Sequence, residues 1–341
     1  MNANSTLVTD KLSRPIKDLR ISVTDQCNFR CSYCMTAELF GPDFPFLQQK
    51  ELLSFDEITQ IVEQFAKLGV EKLRITGGEP LLRKGLANLI RELNRIHGIK
   101  DIALTTNGVF LPKQLQKLKE SGLKRINVSL DAIDDHVFRR MNGRNISTEP
   151  VLKGIKEAMD AGLPVKINAV IKKGVNDSQI IPMAKYFKDT PVILRFIEFM
   201  DVGNTNGWSY QSVVTKKEII SEINRFFPLE PVNKNYQSEV ADRYRYLDGG
   251  GEIGVISSVS DSFCGNCTRA RLSADGKLFT CLFAQKGHDL KKLLRNEKLS
   301  PKQLLMELQN IWGKRSDRYS EERGKNPISI ADKIEMSYIG G

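Results

Sequence analysis

The residues of this 341-residue chain best suited to chemistry are three thiols at Cys-x3-Cys-x2-Cys spacing: Cys27, Cys31 and Cys34. A loop this short can turn three sulfurs toward one point, and thiolate is the soft ligand that zinc, copper(I) and iron–sulfur clusters take. A structural zinc site closes with four ligands. A cubane held by three cysteines leaves one iron open to another molecule. Tyr33 stands just before the last thiol. The remaining cysteines form a second group, Cys264-x2-Cys267 and then Cys281 after thirteen intervening residues. Again there are three ligands, and His288 could complete a zinc site, so that alternative stays open on spacing. Arg269 and Arg271 alternate on one side of a short strand expected just after Cys267. Guanidinium forks suit phosphate oxygens, and a structural zinc site has no use for two of them.

Lys72–Thr76 reads as a strand closed by Gly77-Gly78-Glu79-Pro80. Two residues without a Cβ let the backbone approach a ligand closely, and Pro80 ends strand pairing. The first cysteine group, with Tyr33 at its aromatic position, and this turn together resemble the radical S-adenosylmethionine (SAM) superfamily. Adding Cys264-x2-Cys267-Thr-Arg-Ala-Arg271, Cys281 and the terminal Gly340-Gly341, the chain from about residue 12 to its end resembles the GTP 3′,8-cyclase family of molybdenum cofactor biosynthesis. Residues 1–11 are not covered by the resemblance.

The resemblance implies two [4Fe-4S] clusters, one on Cys27, Cys31 and Cys34, the other on Cys264, Cys267 and Cys281. The first would cleave SAM reductively, the resulting radical would take the C3′ hydrogen of the GTP ribose, and the carbon radical would attack C8 of guanine. The second would hold guanine at its open iron. Positions matching SAM contacts are Tyr33, Gly78, Ser129 and Met200. Those matching GTP contacts are Arg20, Arg74, Thr105, Lys166, Arg269, Ala270 and Arg271. Arg269, Arg271, Gly340 and Gly341 would act at the reacting centre, the glycine tail entering the active site. Partners implied are an external electron donor and the cyclic pyranopterin monophosphate synthase that consumes the product. Two rivals remain: a radical SAM peptide-modifying enzyme with an auxiliary cluster, and a non-enzymatic, zinc-stabilised nucleic-acid-binding protein, whose affinity would fall steeply with salt.

These residues need a frame. Leu19–Val23 alternates apolar and polar residues, a strand signal, and runs straight into the first cysteine loop. Further strands are expected at 72–76, 102–105, 125–130, 165–171 and 192–199, with helices at about 54–67, 83–96, 112–120, 150–161 and 178–187 between them. Strands alternating with helices imply a parallel sheet covered by helices, and the resemblance makes this α/β unit a partial (β/α)6 barrel of the TIM type. Functional residues then belong at the strands' C-terminal ends. The cysteine loop, the glycine turn, Thr105, Ser129 and Met200 all fall there. The rhythm fades after Met200, so a division into residues 1–210 and a smaller α+β domain of residues 211–341 is expected. Within the latter a helix is expected at about 215–226, an irregular polar stretch at 228–250, a strand at 254–259, a hairpin turn at Asp275-Gly276 and a helix at about 301–312.

Composition excludes little but directs the rest. The net charge of +10 favours anionic partners, yet no polybasic block or low-complexity tract suggests a nucleic-acid arm. No run of eighteen apolar residues predicts a membrane span, and residues 1–15 have no signal-peptide core. A reducing cytoplasm is therefore expected, where thiols serve as metal ligands more often than in disulfides. Monomer and homodimer both remain open, as no heptad or interface stripe is evident.

Overall fold

A computed structural model describes residues 8–323 and 333–340. Polar residues of one parity and apolar residues of the other build six parallel strands: β1 Asp18–Ser22, β2 Lys72–Thr76, β3 Asp101–Thr106, β4 Arg125–Ser129, β5 Val165–Ile171 and β6 Ile193–Glu198. They pair in chain order. Between them lie helices α1 Phe55–Lys67, α2 Leu86–Arg95, α3 Leu111–Glu120, α4 Asp135–Asn142, α5 Glu149–Asp160 and α6 Ile180–Phe187. The apolar parity of the strands, including Leu19, Ile21, Leu73, Ile75, Leu104 and Val128, packs with the apolar stripes of the helices in one core. In α1 the stripe is Ile58, Ile61, Val62 and Phe65, and Ser54 and Glu57 close the expected capping box.

The chain beyond β6 adds α7 Lys216–Phe226, strands β7 Leu229–Val232, β8 Asp242–Tyr246, β9 Glu252–Ile256, β10 Arg269–Leu272, β11 Lys277–Phe279 and β12 His288–Asp289, then α8 Leu290–Arg295 and α9 Pro301–Gly313. β9 lies parallel to β6 and β10 parallel to β1, so the six-stranded unit gains a neighbour on each side. Antiparallel strands extend both edges, in the order β12-β11-β10-β1-β2-β3-β4-β5-β6-β9-β8-β7. The result is a partial (β/α)6 barrel with its sheet left open.

Several elements differ from the sequence expectation, which also included neither α8 nor β12. The stretch 228–250 is not irregular: it holds β7 and β8. Their Leu-Glu-Pro-Val and Asp-Arg-Tyr-Arg-Tyr carry charge and a proline, as outer strands tolerate, so no apolar alternation marks them. The strand expected at 254–259 runs instead over Glu252–Ile256, as β9. Helix α4 was not expected. It has eight residues, too few for a clear apolar period, and is started by Asp134, whose carboxylate accepts from Val137 N at 2.9 Å. Among the described residues no helix is long and apolar enough to cross a membrane.

Candidate active site

Strand register stacks the polar parity into an inner wall. Arg20 stands level with Arg271 on one side and Arg74 on the other. Thr105 is level with Asn127 and Asn127 with Lys166, while Ser129 aligns with Asn168 and Asn168 with Arg195. Barrel interiors of this kind are usually filled by branched apolar side chains. This one is cationic, and its countercharge is thin. Arg125 pairs with Asp101, and Arg74 reaches Asp18 only at 3.9 Å. Burial lowers the pKa of Arg20 and brings those of Arg195 and Arg271 down to about 9, with neighbouring guanidiniums pushing the same way. Arg20 Nε, Arg195 Nε and Asn168 Oδ1 are buried without a hydrogen-bond partner among the described residues. Crowded, buried cations are costly by themselves. A polyanion would supply the missing partners through charge-assisted hydrogen bonds.

The first thiol loop leaves the C-terminal end of β1 and is braced by α4. Arg30 N donates to Asn142 O at 2.8 Å and Ser32 N to Met141 O at 3.2 Å. The Arg30 guanidinium donates to the carbonyls of Cys27, Phe29 and Phe40 at 2.8, 2.7 and 2.5 Å. Tyr33 OH donates to Asp131 Oδ2 at 2.9 Å, and the other oxygen of Asp131 accepts from Val170 N at 2.9 Å. Glu79, in the glycine turn, accepts from Thr106 Oγ1 and Asn107 N, both at 2.7 Å. Burial pushes the Glu79 carboxyl up to about 7 and that of Asp131 to about 6. The thiols rise as well, Cys27 to about 11, first through burial; among the three, neighbouring thiols raise Cys31 and Cys34 further.

The second group sits at the N-terminal end of β10, the strand next to β1, whereas the first hangs from the C-terminal end of β1. Burial opposes ionisation of Cys267, yet Arg269 and Arg315 hold its thiol down to about 6. Arg269 Nη2 lies 3.7 Å from its sulfur. Cys281 is pushed up to about 12, chiefly by burial. All six thiols are free and line one cavity. Among the described residues no three His, Cys, Asp or Glu side chains converge closely enough for a single metal ion. A cubane, with four irons between its thiolates, does not require such closeness. His288, weighed as a zinc ligand, lies exposed in β12 and does not line this cavity.

Two family models together span most of the chain. The model of the radical SAM superfamily matches residues 21–187, and that described as Molybdenum Cofactor Synthesis C matches residues 192–321. The GTP 3′,8-cyclase of Staphylococcus carnosus (strain TM300) is 53% identical over 98% of this chain and 99% of its own length. That of Staphylococcus haemolyticus (strain JCSC1435) is 54% identical with the same coverage. The chain belongs to the GTP 3′,8-cyclase family. The fold extends to distant structures: Streptococcus suis SuiB bound to S-adenosylmethionine superposes with a TM-score of 0.60 at 14% identity, over 94% of this chain and 72% of that one.

Of the positions singled out for the GTP 3′,8-cyclase family, the six cysteines, Tyr33, Gly78, Ser129, Met200, Arg20, Arg74, Thr105, Arg269 and Arg271 line the shared cavity. Three others stand apart from its lining. Lys166 has the inward parity of β5, one step below Asn168. Ala270 has the opposite parity and is buried in the apolar core, so only its backbone could meet a ligand. Gly340 lies against Thr76 and Ser22, its carbonyl accepting from Arg271 Nη1; Gly341 is outside the described residues. Asn127, Asn168 and Arg195 also line the cavity and were missed; Asp131, expected with Ser129 at the C-terminal end of β4 but given no role, lines it too. Arg195 was detectable: it interrupts the apolar run of β6 at the inward parity, as Arg74 does in β2.

Proposed function

We infer that this chain is a GTP 3′,8-cyclase, a radical SAM lyase. It converts GTP to (8S)-3′,8-cyclo-7,8-dihydroguanosine 5′-triphosphate, the first step of molybdenum cofactor biosynthesis. The carrying observation is that two three-thiol groups open on one cavity whose wall between them is cationic and short of partners. When bound, the two [4Fe-4S] clusters and SAM supply reductive cleavage of the sulfonium, hydrogen abstraction from ribose and a site for guanine.

The chain's own groups divide the remaining work. Cys27, Cys31 and Cys34 hold the first cluster; Tyr33, Gly78, Ser129 and Met200 seat SAM beside it. Cys264, Cys267 and Cys281 hold the second. Arg20, Arg74, Thr105, Lys166, Arg269 and Arg271 grip GTP, with Ala270 contributing backbone, and Gly340 and Gly341 close the site with Arg269 and Arg271. Enclosure between the two halves, divided near residue 210, keeps the radical from water. An external donor supplies the electron in the cytoplasm, and a cyclic pyranopterin monophosphate synthase takes the product; a homodimer is compatible with this scheme.

Anaerobic incubation of the reconstituted protein with GTP, SAM and a reductant is expected to yield 5′-deoxyadenosine and an isomer of GTP. Deoxyadenosine without consumption of GTP would overturn the substrate assignment and favour the peptide-modifying alternative.

Lys166 gives this function a pH dependence. Burial, then Arg195 and Arg125, hold its ammonium down to about 8. It is charged below that pH and neutral above it. GTP affinity should therefore fall as pH rises from about 7 to 9, by up to roughly tenfold, the worth of one hydrogen bond to a charged group. In Lys166→Met, titration calorimetry should show weaker binding near pH 7 and a flatter slope. An unchanged slope would remove Lys166 from the phosphate grip.

A further inference from the structure

The segment before β1 carries some of the most deeply buried charges in the molecule. Asp10 and Arg14 are 6% and 3% exposed, and Arg315, just beyond α9, is 4% exposed. Asp10 Oδ2 accepts from Arg14 Nε at 2.7 Å and from Arg315 Nη1 at 3.1 Å. Both arginines also reach the second thiol loop. Arg14 Nη1 donates to the carbonyl of Cys264 at 2.7 Å, and Arg315 Nη1 to that of Cys267 at 2.8 Å. Asp317 extends the contact to the third thiol: its carbonyl accepts from Arg14 Nη1 at 2.9 Å, and its carboxylate accepts from Thr280 Oγ1, beside Cys281, at 2.6 Å.

The guanidiniums are held in place from behind. Arg315 stacks on the Trp312 ring, 4.6 Å from its centroid, and the indole N–H donates to the Arg14 carbonyl at 3.0 Å. Arg14 and Arg315 themselves line the cavity. Arg14 Nη2 and Arg315 Nε are buried without a hydrogen-bond partner among the described residues, although Arg315 Nε lies 3.4 Å from the Asp317 carboxylate. A buried carboxylate between two guanidiniums is poor value as a stability device, because its desolvation offsets most of its attraction. Its connections point to a different use.

We propose that Asp10, Arg14 and Arg315 form a clamp on the second thiol group. They are positioning residues that fix the three ligand cysteines and would set the charge beside the cluster these hold. The proposal rests on Cys264, Cys267 and Cys281 being cluster ligands, as assigned above. Hydrogen bonds and local charge are levers on cluster potential. Removing the Asp10 charge leaves two guanidiniums un-neutralised, which favours the reduced cluster and moves its potential positive.

The test compares anaerobically reconstituted Asp10→Asn, Arg315→Lys and Cys281→Ser with the parent protein by iron content, electron paramagnetic resonance, redox titration and thermal unfolding. In Asp10→Asn the second-cluster signal and its response to GTP should change, its potential should move positive, and the SAM-responsive signal of the first cluster should stay as in the parent. Deoxyadenosine should still form, while cyclised nucleotide per deoxyadenosine falls on the order of tenfold or more. Arg315→Lys keeps the charge but loses the guanidinium stack on Trp312 and the nitrogen facing Asp317, so it should alter the signal and the coupling with a smaller shift in potential. Parent-like second-cluster spectra in both variants would overturn the clamp. So would equal loss of both clusters together with a lowered melting temperature, which marks a network that merely holds the fold. Cys281→Ser should keep only about four irons per chain; if it keeps about eight, the ligand assignment fails instead.

Discussion

Gly78→Ala is expected to lower 5′-deoxyadenosine formation at least about a hundredfold, because it drives the glycine turn off the cysteine loop. A Cβ at Gly78 would lie 2.3 Å from Gln26 O, 2.6 Å from Gln26 C and 2.8 Å from Asp25 O. All three are backbone atoms, one or two residues before Cys27, and cannot turn aside as a side chain would. The two segments are also tied together: Gly78 N donates to Thr24 O at 2.8 Å and Glu79 N to Gln26 O at 2.7 Å. Relieving the overlap means separating these strands' ends by about an ångström, which breaks one or both bonds and displaces Cys27 from the turn meant to seat SAM. The assay is deoxyadenosine released per minute with a chemical reductant, with or without GTP, alongside iron content. Gly162→Ala is the control: its Cβ would meet nothing within 4 Å, and its φ of +72° makes the change a matter of backbone strain alone. It should cost about 1 kcal/mol of stability and leave turnover unaltered. Parent-like deoxyadenosine formation by Gly78→Ala would show that the close approach has no part in SAM cleavage.

Gly78 was visible in the sequence because its neighbours give it meaning, and the same holds for much of the site. Arg20, Arg74, Arg269 and Arg271 each break an apolar strand pattern at one parity; alternation put Arg269 and Arg271 on one side of a strand, but it was the family resemblance that assigned all four to the nucleotide, and the strand register that stacked Arg20 between Arg271 and Arg74. The capping box at Ser54 and Glu57 fixed the start of α1. What stayed hidden was tertiary. Asp10 and Arg315 are 305 positions apart in sequence, and neither carries a local signal that it will be buried. Helix α4 is short and mostly polar; it forms because its end hydrogen-bonds the cysteine loop and because Phe138 and Met141 find cover there. The strands β7 and β8 have little apolar face to betray them. Ala270 shows the opposite risk: neighbours on both sides point into the cavity, and strand geometry turns its own side chain into the core.

Deleting Gly340 and Gly341 should abolish cyclisation, by on the order of a hundredfold, while leaving both clusters and SAM cleavage in place. Chain ends ordinarily fray, but the described part of this tail is tied at successive points. Lys333 Nζ donates to Asp201 O at 3.0 Å; Glu335 accepts from Asn204 N at 3.1 Å and from Thr205 Oγ1 at 3.2 Å. Tyr338 OH then donates to Asp275 Oδ2 at 2.6 Å. Gly340 follows with φ +72°, its carbonyl accepting from Arg271, and a Cβ there would lie 2.4 Å from Thr76 Cγ2. The last turn of the tail thus rests on the C-terminal ends of β1 and β2, beside Gly77, where both strands deliver their functional residues. None of these ties touches a cysteine, so truncation spares the iron. It does remove the acceptor of Arg271, one of the two guanidiniums fixed beside the second thiol group, and frees that side chain from the geometry proposed for gripping GTP. A Gly340→Ala variant should fall between parent and truncation, since the backbone strain and the Thr76 contact would displace the tail without deleting it. The measurement is the ratio of cyclised nucleotide to deoxyadenosine at matched iron content. A ratio in the truncated protein equal to that of the parent would mean that the tail lies over the active site without acting in it.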